Sequence, residues 1–114
     1  MSVAVALAMG GCSDVVFVER VTITNRTDYP ASVDVTDANR TEWLGLGLVH
    51  HDGRHAFGEV IDQGEVWIFR FDYANKHHQE VEVTRSELQR DEWQVEVPGS
   101  FGDELRRLGF EPPP

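Results

Sequence analysis

The sequence predicts a mainly β protein: an antiparallel two-sheet sandwich of about seven short strands, with a short connecting helix and a C-terminal helix. Three observations carry this. Apolar residues recur at period two in short blocks along most of the chain. Turn-forming residues separate the blocks, as at Asn25–Pro30, Asp37–Thr41, His50–Arg54 and Asp62–Gly64. The run Glu65–Tyr73 is the densest in aromatic residues. There Trp67, Phe69, Phe71 and Tyr73 share one strand face, while Val66 and Ile68 point the other way. A strand apolar on both faces at its start belongs in the middle of a sheet. A partly open β-barrel is the alternative arrangement.

The elements follow in order. Between Val15 and Asn25, Val21 and Ile23 alternate with Thr22 and Thr24, a half-buried strand. Ala31–Thr36 alternates again, with Val33 and Val35 inward. Trp43–Val49 sets Leu44, Leu46 and Leu48 on one face and Gly45 and Gly47 on the other. Two glycines in a strand point to a bulge, a bend or close approach by another element, with Trp43 as a side chain to cover the bare backbone. His50–Arg54 reads as a hairpin loop around Asp52-Gly53, followed by a weaker strand over His55–Ile61. After the central run comes a polar loop, Ala74–Gln79, and a short strand carrying Val81 and Val83. Thr84-Arg85-Ser86-Glu87 fits a capping box, which starts a helix ending near Asp91 with Leu88 inward. Trp93, Val95 and Val97 form a last strand stopped by Pro98. Phe101, Leu105 and Leu108 then mark one face of a helix closed by Gly109. The domain is therefore expected over 15–110, with a proline-rich tail at 111–114.

Composition narrows the function classes. The chain has 114 residues, 20 acidic and 10 basic, for a net charge of −10. Such a surface repels phosphates and so disfavours nucleic acid and anionic membranes. The single cysteine, Cys12, rules out an internal disulfide.

Residues 3–9 are an apolar run, followed by Gly10-Gly11-Cys12. This stretch resembles a bacterial lipoprotein signal, in which small residues precede a cysteine that is lipidated and becomes the new N-terminus. The run is short, no lysine or arginine precedes it, and Met9 stands where the family favours leucine. The resemblance implies that 1–14 is an export signal remnant, Cys12 the lipidation site, and the remainder extracytoplasmic, attached to the membrane through the lipid alone. Non-lipidated export and a cytosolic β-domain are the alternatives. The body is similar to the broad immunoglobulin-like class, without the cysteine pair of antibody domains.

No arrangement for catalysis stands out, and no cofactor motif is present. In an antiparallel meander the loops at 25–30, 50–54 and 74–79 share one end. His50, His51, Asp52, His77 and His78, with Asp28, are then candidates to converge on a divalent metal. The bland reading of these loop histidines is solvated surface. Asp37-x-Asn39-x-Thr41 begins like a calcium loop but has Glu42 where the glycine belongs and Leu48 where the closing glutamate belongs. Asn25-Arg26-Thr27 and Asn39-Arg40-Thr41 match glycosylation sequons and are read as turns. Trp43, Trp67 and Trp93 are read as packing residues rather than a ligand groove. The leading expectation is a non-enzymatic, lipid-anchored surface domain acting in protein binding or envelope structure. The alternative is an exported metal-binding domain using the histidine loops.

Overall fold

The computed structural model describes residues 16–114. Cys12 and the signal-like segment lie outside the described residues. Seven strands and two helices run as β1 (Phe17–Asn25), β2 (Ala31–Thr36), β3 (Leu44–Val49), β4 (Gly53–Ile61), β5 (Val66–Tyr73), β6 (His77–Thr84), α1 (Arg85–Arg90), β7 (Gln94–Glu96) and α2 (Gly99–Arg107). The strands form a three-stranded sheet, β4-β1-β7, and a four-stranded sheet, β3-β2-β5-β6. Val21 and Ile23 from the first and Val33, Val35, Trp67, Phe69 and Phe71 from the second belong to one buried core. The arrangement is sandwich-like.

The aromatic run is a central strand, as its pattern predicts. β5 lies between β2 and β6, and Trp67, Phe69 and Phe71 are fully buried. Ile68 points away from that core yet is also buried. Its neighbour across the ladder is Thr36, whose hydroxyl donates to the Glu42 carbonyl at 2.6 Å. The β2–β3 connection thus folds over the outer face of the sheet and covers both residues.

One pairing departs from the antiparallel expectation: β7 runs parallel to β1. Successive strands reverse direction, so the first and seventh point the same way and must be parallel once adjacent. Alternation along the sequence carries direction but not partnership. α1 makes the crossing between sheets. Its capping box is complete, with Glu87 N–H donating to Thr84 Oγ1 at 3.1 Å and Thr84 N–H to Glu87 Oε1 at 2.9 Å.

The glycines of β3 act as anticipated, with a different partner. The β2–β3 register slips between Val33 and Asp34, leaving Leu46 as the extra residue of a bulge. Beyond it the alternation inverts: Leu48 is exposed and Val49 buried. Gly47, at φ +147°, receives the ring of Phe57 from β4; a Cβ there would stand 2.9 Å from Phe57 Cε1. Trp43 does not cover this backbone. It lies outside β3 and stacks on the Arg70 guanidinium, 4.0 Å from the ring centroid. Trp93 likewise precedes the last strand, in a left-handed conformation, with its ring 5.4 Å from that of Trp67.

Candidate functional site

The strand count places the turns after β1, β3 and β5 at one end of the molecule, and the structure bears this out. Asn25 pairs with Gly53, Ala31 with Val49, and Ser32 with Asp72. The loops at 26–30 and 50–52 touch directly, Asp52 N–H donating to the Thr27 carbonyl at 3.1 Å.

A buried amide holds this end together. Asn25 is fully buried, and its Nδ2 donates to the carbonyls of Tyr29 at 2.8 Å and Val49 at 3.2 Å. Its Oδ1 accepts the Thr27 N–H at 3.0 Å. One side chain therefore ties the end of β1, its own turn and the end of β3, where unsatisfied carbonyls would be costly. The first sequon is turn chemistry with its amide occupied inside the fold.

α2 lies across the same end. Tyr29 OH donates to the Phe110 carbonyl, and the Tyr29 ring meets Tyr73 edge-on at 5.3 Å. Gly102 allows α2 to approach Thr27; a Cβ would stand 3.1 Å from Thr27 Cβ. Phe101, Gly102 and Leu105 are the buried face. Leu108, expected inward, is exposed. The chain turns at Gly109 (φ +91°) and returns Phe110 to the core, its N–H donating to the Leu105 carbonyl at 3.1 Å.

The histidines distribute around this end. His50, His51 and Asp52 are exposed on their short loop. His77 and His78 are not in a loop: Ala74, Asn75 and Lys76 form the turn, the first two at positive φ, and β6 begins at His77. As neighbours on a strand the two face opposite sides. His77 packs 5.9 Å from the Phe101 ring, with a buried Nε2 that has no hydrogen-bond partner. His78 lies opposite Asp72 in the β5–β6 register. Among the described residues, no three His, Cys, Asp or Glu side chains gather closely enough to hold a metal ion. Asp28 is paired with Arg106 of α2.

Two features of the surface were not legible in the sequence. Beside α2 a shallow cleft of about 250 Å³ is lined by Arg26, Asp28, Glu96, Asp103 and Arg106 among others. Its charges largely pair off, with Arg26 2.9 Å from Glu96. At the opposite end, a cleft of about 580 Å³ separates the β2–β3 connection from the β4–β5 turn. Trp43, Leu44 and Ile61 supply its apolar walls, and Asp37, Glu42 and Asp62 its carboxylates. Asp62 is paired with Arg85. Residues from distant turns meet at both places, so no local pattern announces them.

No family model, curated protein or solved structure matches the chain. No helix among the described residues is long and apolar enough to cross a membrane.

Proposed function

We propose that this chain is an exported, lipid-anchored, non-enzymatic β-sandwich that binds a protein partner or serves envelope structure through its loop end. The observation that carries the reading is Gly10-Gly11-Cys12 after an apolar run, a few residues ahead of β1. A lipidated Cys12 would hold the domain on the extracytoplasmic face of the membrane by a short tether.

The loop end supports a recognition role because it is rigid and composite. The turns at 26–30 and 50–52 meet on a buried polar knot beside α2, so residues carried there are held in register without ligand. Within the sandwich class the finer assignment proposed is immunoglobulin-like. Its support is the division into sheets of three and four strands, with β1–β2 and β3–β4 each crossing between sheets.

Intact-mass measurement on protein extracted from host membranes tests the anchor. The expected species begins at Cys12 and carries added acyl mass. A chain retaining Met1 with no lipid overturns the proposal.

A further inference from the structure

Five large apolar side chains among the described residues are open to solvent, and three of them are neighbours. Val16, Phe17 and Ile61 are 60%, 54% and 39% exposed. Phe17 and Ile61 face each other across the first rung of the β1–β4 ladder, so they share one side of the sheet. The Asp62 N–H donates to the Val16 carbonyl at 2.8 Å and closes the corner. Ile61 also borders the larger cleft, beside Trp43 and Leu44. Single exposed apolar residues are ordinary; a cross-strand apolar pair with Val16 next to it at the same corner calls for an occupant.

This corner is where the chain arrives from Cys12. Four Cα-to-Cα steps lead from Cys12 to Val16, a reach of at most about 14 Å. We infer that Val16, Phe17 and Ile61 seat the domain on the lipid surface that holds Cys12, turning the loop end outward. The inference rests on the lipid-anchor reading above and adds an orientation to it. Aromatic and branched apolar side chains partition into the headgroup boundary. Three such residues are too few to hold a free domain there, but a short tether supplies an effective concentration on the order of millimolar. The contact then has only to beat free swinging on the tether. A net charge of −10 selects a zwitterionic lipid surface over an anionic one. Asp62, next to Ile61, is neutralised by Arg85 and so presents no lone anion to the lipid.

The test joins Cys12 of the full chain to a maleimide lipid in phosphatidylcholine nanodiscs carrying a headgroup spin label. The chemical tether makes the result independent of whether cells lipidate Cys12, which the intact-mass experiment decides separately. Amide signals are compared between the native chain and the Phe17→Ser/Ile61→Ser variant. Residues close to the tether broaden in either case. Seating adds to this, so broadening at 16–18 and 59–63 should drop by roughly twofold or more in the variant. The extra broadening should survive added salt, as an apolar contact does. Unchanged spectral dispersion confirms that the variant is folded. Equal broadening in native chain and variant, or an effect abolished by salt, overturns the inference.

Discussion

At the scale of single residues, two positions carry more of the structure than their chemistry suggests. Gly47 leaves room for the Phe57 ring in a backbone conformation that other residues rarely adopt. Gly47→Ala should lower stability by about 1–3 kcal/mol in urea unfolding. A loss no larger than that of an exposed surface substitution would show that the ring simply moves aside. Asn25 is the second. Removing its amide leaves the Val49 and Tyr29 carbonyls without that donor in a buried place. Asn25→Ala should cost about 1–3 kcal/mol, and amide exchange should quicken in 26–30 and 50–52 together. Exchange confined to one loop would contradict its role as a shared tie. The sequence points to a close approach at Gly47 but not to Phe57 as the partner, and it does not show the role of Asn25. Asn25 reads there as an ordinary turn residue, because burial depends on what α2 and β3 bring over it.

At the scale of elements, local chemistry is legible where it is self-contained. The capping box of α1 involves residues three apart and needs no tertiary partner. The sequence predicts a loop over Ala74–Gln79 after β5, longer than the three residues that connect β5 to β6. Nothing about Ala74-Asn75-Lys76 advertises a tight three-residue hairpin, since alanine has no preference for positive φ. Its observed φ of +49° is a cost that the flanking ladder imposes. Ala74→Gly should therefore raise stability by about 0.5–1 kcal/mol, despite glycine's greater freedom in the unfolded chain. A higher urea midpoint with an unchanged slope would agree; a lower midpoint would mean that the turn is not strained. α2 shows the complementary limit. Helical spacing places Leu108 with Phe101 and Leu105, yet the turn at Gly109 gives Leu108's expected place against the core to Phe110.

At the scale of the whole molecule, β5 joins the four-stranded sheet and supplies much of the core. Phe69→Ala should cost about 3–5 kcal/mol or prevent folding. A loss under about 1 kcal/mol would be incompatible with a fully buried ring at the centre of the sheet.

The charges give stability a pH profile. Four carboxyls are held below their ordinary range: Glu80 chiefly by the Arg40 hydrogen bond, Glu87 by the Thr84 backbone N–H, Asp91 by Arg90 and Glu104 by Arg107. Each loses its proton more readily folded than unfolded. Their contribution is complete above the ordinary values of 4.5 for glutamate and 3.8 for aspartate, and is lost as pH falls through the lower folded values. Tyr29 behaves oppositely. Burial first, then the Tyr73 and Glu111 charges, raises its hydroxyl, so its contribution is complete below pH 10.0 and lost as pH rises through the folded value. Urea midpoints should fall at both extremes. The acid limb should be shallow and salt-sensitive, because these carboxylates are largely at the surface.

The sequence by itself determined the β class, the number and order of strands, the central aromatic strand and the α1 cap. These follow from alternation, turn chemistry and spacing, all of which act within a few residues. Only the tertiary structure decided that β7 lies parallel beside β1. It also decided that Phe57 fills the space at Gly47, that Asn25 ties two loops, and that Val16, Phe17 and Ile61 remain together in the open. Each of these depends on which distant segments become neighbours, and a strand's own residues encode its faces and direction but not the partner at its edge.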